Sequence, residues 1–228
     1  MDHTSEIFIG LLQGFGNTCL LFGLTLIVAL PLGLLIAFGS MSKFKPLKIV
    51  IKGFIWIIRG SPLMLQIVLV SFLPKYIFGS TVKAWASALN LTVTQMSFVF
   101  VVIAFIINYA CYFAEIYRSG IESIPQGQYE AGKVLGMRKG QIFTKIVLFQ
   151  VIKRIVPPMS NETITLVKDT VLAFTLGVVD LLSAAKEAVN NFVTLMPLVY
   201  AAVFFLVFNG ILTLLFNWIE KKLSYYKG

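Results

Sequence analysis

Glu162 and Asp169 interrupt an otherwise apolar stretch, seven residues apart and so nearly on one helix face, with Thr165 between them. Ionisable groups kept in apolar surroundings are costly, and they mark binding sites or ion paths by default. This pair suits an α-ammonium or a cationic side chain. Just before it stand Pro157 and Pro158, which remove helical hydrogen bonds and disfavour helix in the residue ahead of them. The expectation is a broken helix whose second half starts near Asn161, with a partly positive N-terminus suited to a carboxylate. Asn108 and Glu115, from another apolar stretch, would complete a polar pocket with Asn161, Glu162, Thr165 and Asp169. The competing reading is that the charges serve structure. Lys168 adjoins Asp169, Arg118 is three residues from Glu115, and Arg59 stands beside a bend expected at Pro62.

Enzymatic chemistry has little to work with. His3 is the only histidine, and no nucleophile–base pair or metal-ligand cluster is visible. Cys19 and Cys111 lie in apolar stretches without the spacing of a metal or redox site. The chain is therefore expected to be no enzyme and to hold no metal or cofactor of its own.

The elements that must position these residues follow from composition. Of 228 residues, 58% are hydrophobic and 13% charged, and mean hydropathy is +0.88, against roughly 25% charged in a soluble domain. That excludes a soluble globular protein. With roughly 20 residues per crossing, five apolar stretches read as spans: about 18–38, 49–73, 96–117, 155–182 and 195–219. The fold class is all-α and integral to the membrane, with five transmembrane helices. The start, with Asp2 and Glu6, lacks the basic region of a cleavable signal.

Orientation comes from the loops. Fourteen basic residues fall on one side (Lys43 to Lys52, Arg118 to Arg154 and the tail), against Lys75, Lys83 and Lys186 on the other. The positive-inside rule puts the N-terminus outside and the C-terminus in the cytoplasm. The net charge of +9 thus reflects topology, and no nucleic-acid partner is expected.

The longest hydrophilic stretch, Arg118 to Arg154, reads as cytoplasmic and partly helical. Ser123 to Gln126 has the form of a capping box with Pro125 in the first turn, and Gly136 and Gly140 are stop signals. Gly132 and Gly136, four apart, leave a bare strip on the helix of about 124–137, as expected for close docking against another protein. Resting on the membrane surface is the alternative, but the apolar face is small.

These residues carry a resemblance. Glu130-Ala131-Gly132, then Gly136, Ile146 and Leu148, resemble the EAA loop of ABC-type importer membrane subunits, with Gly132 in place of the second Ala and Phe149 in place of the Pro. Arg59-Gly60-Ser61-Pro62-Leu63 with Gln66, Ala114 to Arg118, Gly120 to Ile124, Gly127-Gln128, Leu135-Gly136-Met137, Pro157-Pro158 with Asn161-Glu162, and Lys168-Asp169-Thr170 resemble the polar amino-acid branch of these permeases. Asp180 stands where the family usually has Glu, and Ser61 where it has Thr.

The resemblance implies a type I ABC importer permease fold over residues 14–218, an external or interfacial segment over 1–13 and a cytoplasmic tail over 219–228. It implies a homodimer or heterodimer of permease subunits, a pair of ABC ATPase subunits, an external substrate-binding protein, and residence in a bacterial or archaeal cytoplasmic membrane. Gln128, Glu130, Ala131, Gly132, Leu135 and Gly136 would couple to the ATPase. The chain has no phosphate-cradling Gly-x-x-x-x-Gly-Lys-Ser/Thr sequence, so ATP and Mg would be bound by the partner. The implied cargo is a polar amino acid. Glu115, Glu162, Asp169 and Asp180 slightly favour a basic one over glutamine or cystine. A secondary transporter without an ATPase is the alternative, resting on the same acids.

Overall fold

The structure is a computed structural model describing residues 3–223, and it is helical throughout. The helices are α1 (His3–Ser40), α2 (Lys45–Gly60), α3 (Leu63–Phe78), α4 (Val82–Ala88), α5 (Val93–Glu122), α6 (Gln126–Val134), α7 (Lys139–Ile142), α8 (Leu148–Asp169), α9 (Leu181–Phe192) and α10 (Met196–Leu223). The tail beyond residue 223 lies outside the described residues.

Helix α5 is the centre. It buries Phe105, Tyr109 and Phe113 together with Ala104, Ala110 and Ala114, and α1, α2, α3, α4 and α8 pack around it. Lipid tails are as apolar as side chains, so close backbone contact through small residues has to hold such helices together. At the α1–α5 crossing a Cβ on Gly33 would lie 2.9 Å from the carbonyl oxygen of Ala110, so only glycine allows this approach.

By length and composition α1, α5 and α10 can each cross a membrane, and the α2–α3 pair counts as a fourth if it is one broken span. Helix α1 is unbroken from His3, so within the separate segment expected over 1–13 the described residues, from His3 on, continue the first helix, and Ile7 and Leu11 pack with Leu181, Ala184, Ala185 and Ala188 of α9. At 38 residues and 1.5 Å per residue it runs about 57 Å, well beyond the ~30 Å hydrocarbon core.

The second apolar stretch is sharper than a bent span. Pro62 holds Ser61 extended (φ −111°, ψ 146°), and α2 and α3 meet at 113°. Pro74, expected to end this stretch, lies inside α3, which runs on to Phe78 and stops at Gly79 in the left-handed region (φ +66°).

The fourth stretch departs most from expectation. Helix α8 runs through Pro157 and Pro158 without a break, so no half-helix begins at Asn161. Each proline removes one N–H, leaving the carbonyls of Lys153 and Arg154 without a helical donor. The packed side of the helix, Val151, Ser160, Thr163, Leu166 and Val167, continues across the site. The break comes later. Thr170–Leu176 tightens to a 3-10 helix, Gly177 turns left-handed (φ +69°), and Asp180 starts α9.

Asp180 is therefore a cap and not a group facing a path. It is 1% exposed, and its carboxylate accepts from the backbone N–H of Leu182 (3.2 Å) and Ser183 (3.0 Å) and from the Ser183 hydroxyl. The Thr18 hydroxyl accepts from Leu181 N (3.2 Å), and Asn17 donates to the Val179 carbonyl (2.8 Å), tying this turn to α1. Losing a buried cap costs about 1–2 kcal/mol. Asp180→Ala is thus expected to lower the thermal midpoint of the detergent-purified protein and Asp180→Asn to recover most of the loss; an unchanged midpoint in Asp180→Ala contradicts the assignment.

Candidate functional site

Because α8 is continuous, its sides can be read along its length. One side is buried against the core, while Arg154, Pro157, Asn161, Thr165 and Lys168 form an exposed row at spacings of three and four. Glu162 and Asp169 lie half-buried at the margin of that row. At 22 residues, about 33 Å, α8 is long enough to cross a bilayer, but a row of this polarity cannot face lipid.

The candidate residues separate. Asn161 and Thr165 stand together in the exposed row, the Thr165 hydroxyl donating to the Asn161 carbonyl (3.0 Å). Asp169 accepts from the Tyr109 hydroxyl of α5 (2.7 Å). Glu162 lies within the fields of Asp169 and of Arg59, the cation acting on it. Arg59 in turn sits over the Tyr112 ring, 5.0 Å from its centroid. Asp169, Tyr109, Tyr112 and Arg59 thus form one cluster that runs from α8 across α5 to the end of α2, with Glu162 on α8 within its field.

Asn108 is not part of it. Its amide donates to the Gln66 carbonyl oxygen (2.9 Å), and Gln66 donates to the Ile58 carbonyl (2.7 Å), the Ser61 carbonyl (3.1 Å) and the Ser61 hydroxyl (2.8 Å). Both amides are buried. Gln66 thus answers the carbonyls of Ile58 and Ser61 at the Ser61-Pro62 elbow, and Asn108 fastens Gln66 to α5. Glu115 is paired with Arg118, which also bonds Glu122. Tyr109 was not among the residues singled out from sequence. The signal was its place beside Asn108 and one turn before Tyr112 on the same span, but a tyrosine in an apolar run reads as packing until its partner is seen.

The cytoplasmic segment holds a second set. The expected capping box does not form: the Ser123 hydroxyl turns back to the Gly120 carbonyl (2.8 Å), and α6 starts at Gln126 behind Pro125. The helix covers Gln126–Val134, shorter than 124–137 at both ends. Gly136 (φ +71°) then stops it in a Schellman arrangement, with Met137 N on Gly132 O (3.0 Å) and Gly136 N on Lys133 O (2.9 Å). Gly140 is no stop but lies inside α7.

The bare strip expected to face a partner divides. Gly132 is buried, and a Cβ there would lie 2.7 Å from Cγ1 of Ile142, so its face is taken up within the chain. Gln128 accepts from Gln150 (3.2 Å). Glu130, Ala131, Leu135 and Gly136 face outward, and Val134 (88% exposed) and Leu135 (76%) form an apolar knob. Beside it, Gln126, Tyr129, Glu130, Lys133, Lys139 and Ile142 line a recess of about 440 Å³.

Residues 29–225 match the family described as binding-protein-dependent transport system inner membrane component. The chain belongs to this family. The permease is 35% identical over 205 residues to the L-cystine transport system permease protein TcyB of Bacillus subtilis (strain 168), covering 89% of this chain and 82% of that one. It is 31% identical over 216 residues to the arginine transport system permease protein ArtQ of the same organism, covering 94% and 92%. A putative glutamine transport system permease protein GlnP of Rickettsia conorii is 28% identical, covering 88% and 86%. Among solved structures, an amino acid ABC transporter with histidines superposes with a TM-score of 0.82 at 28% identity, covering 97% of this chain and 99% of that one. A MetNI methionine ABC transporter shares the fold, with a TM-score of 0.70 at 16% identity, covering 96% and 98%. The permease is therefore the membrane-spanning subunit of an amino-acid ABC transport system, with the type I importer permease fold.

Scaffold and site predict different mutational behaviour. Asn108→Leu leaves the Gln66 carbonyl oxygen buried without its donor, a loss of about 1–3 kcal/mol, whereas Thr165→Ala removes an exposed hydroxyl and stays within about 0.5 kcal/mol. Thermal denaturation of the two variants checks this; equal midpoints contradict the division.

Proposed function

We propose that the permease moves a polar amino acid into the cell by alternating access, along the polar row of α8. The observation that carries this reading is the row itself: Arg154, Asn161, Thr165 and Lys168 stand exposed on a helix embedded in an apolar bundle, with Glu162 and Asp169 beside them. Lipid cannot cover it, and a water-filled path shared with a second permease subunit can. The chain crosses five times, N-terminus outside and C-terminus in the cytoplasm, with α2–α3 as one broken crossing and α8 as another. The count of fourteen basic residues against three supports this orientation.

Cargo is read by its α-groups. Arg59 takes the α-carboxylate, and Glu162 or Asp169 the α-ammonium. With Asp180 spent on a helix cap and Glu115 held by Arg118, the four acids that favour a basic cargo reduce to two. One carboxylate then remains for a cationic side chain, which keeps arginine or lysine ahead of glutamine and cystine. The named relatives for cystine, arginine and glutamine set this range.

The work comes from elsewhere. A pair of ABC ATPases in the cytoplasm binds ATP and Mg, and a substrate-binding protein delivers cargo from outside. The knob of Val134 and Leu135 and the recess beside Glu130 receive the ATPase stroke. Closing the ATPase dimer draws the α6 segments of the two permease subunits together and rocks the bundles from inward-open to outward-open. The setting is a bacterial or archaeal cytoplasmic membrane.

Glu162→Gln or Asp169→Asn is expected to abolish uptake in reconstituted vesicles while leaving assembly and basal ATP hydrolysis intact. Loss of assembly instead makes these carboxylates structural. For α6 the pattern reverses. Leu135→Asp is expected to detach or uncouple the ATPase without unfolding the permease, and a complex that still copurifies and transports normally contradicts the docking role.

A further inference from the structure

Helix α2 carries a row of cations of which only Arg59 enters the cargo cluster and none enters the ATPase knob. Lys45, Lys48, Lys52 and Arg59 follow one another along one side, and the helix contains no acid. Between α2 and α5 this row borders a recess of about 260 Å³, lined by Lys52, Ile55, Trp56, Arg59, Glu115 and Arg118. Three cations and one carboxylate line it, a lining charge of +2; Arg118 is held by Glu115 and Glu122, and Lys52 is the lining cation outside the cargo cluster that no described acid pairs. Among the described residues no acid forms an ion pair with Lys52 or Arg59. Beside the cations lies an open apolar edge: Ile49 (70% exposed) and Trp56 (78%), seven residues apart on one side of the helix.

We propose that this recess binds the headgroup of an anionic glycerophospholipid, its phosphodiester at Lys52 and its acyl chains over Trp56 and Ile49. A basic pocket between membrane helices, edged by a tryptophan at headgroup level, has the chemistry that holds such lipids. Free phosphate shares the charge but gains nothing from the apolar wall.

The test uses Trp56 as reporter. With Trp85→Phe and Trp218→Phe it is the only tryptophan left of three, and the complex with its ATPase is reconstituted into vesicles containing brominated phosphatidylglycerol or brominated phosphatidylcholine. Both leaflets carry the probe, so the result does not depend on orientation. Quenching is expected to half-saturate at a phosphatidylglycerol fraction about fivefold below that of phosphatidylcholine. Lys52→Gln should abolish the preference, Lys52→Arg keep it, and millimolar inorganic phosphate leave it unchanged. Arg59 is left intact because it belongs to the cargo cluster. Equal quenching by the two lipids overturns the proposal, as does a preference that persists in Lys52→Gln. Release by phosphate makes the recess a free-anion site, and no quenching by either lipid means that protein covers it; each overturns the lipid site as well.

Discussion

Hydrocarbon offers no hydrogen bonds, so every polar group at membrane depth must be answered by the chain itself or by something docked against it. The architecture follows from where the chain answers and where it does not. At the elbow, Gln66 answers the carbonyls of Ile58 and Ser61, and Asn108 fastens Gln66 to α5. At the turn after α8, Asp180 and Thr18 satisfy the first N–H groups of α9 and lock it to α1. Along one edge of α8, and in the basic row of α2, polar side chains stand exposed, and these are the two places where the proposed cargo and the proposed lipid would dock.

Much of this was legible in the sequence, and the failures share a cause. The bend at Pro62, the glycine stop at Gly136 and the carboxylate pair of the fourth stretch are local features, set by residue type and short spacing. The rest depends on partners distant in sequence. Asn108 looks like a binding group until Gln66, 42 residues away, is seen to hold it. Asp180 looks like an intramembrane charge until its place at the start of α9 makes it a cap. Proline spacing predicted a break in α8, but continuous packing of Val151, Ser160, Leu166 and Val167 against the core carries the helix across. Gly132 was read as surface and is interior, because Ile142 of the next helix fills the space.

The division of roles that results is simple. Helix α5 is scaffold, with Tyr109 as the contact that joins it to the carboxylates of α8. Helix α8 has a packed side fixed against the core and a polar side left open, the lining of the proposed path. The α6 segment, the proposed lever, has a glycine strip that serves its own folding, leaving Val134 and Leu135 as the surface offered outward. Family membership supplies the frame of an ABC permease, and the exposed polar edge of α8 is the observation on which the proposed path within it rests.

The central claim is that the polar edge of α8 is wet and lines the cargo path. With Cys19 and Cys111 replaced by serine, single cysteines at Asn161, Thr165 and, as a control on the packed side, Leu166 can be reacted with a membrane-impermeant thiol reagent in the assembled transporter. The account predicts rapid modification at positions 161 and 165, slowed by arginine, cystine or glutamine, whichever is carried, and none at position 166. Modification that no amino acid slows, or absence of reaction at both polar positions, would contradict it.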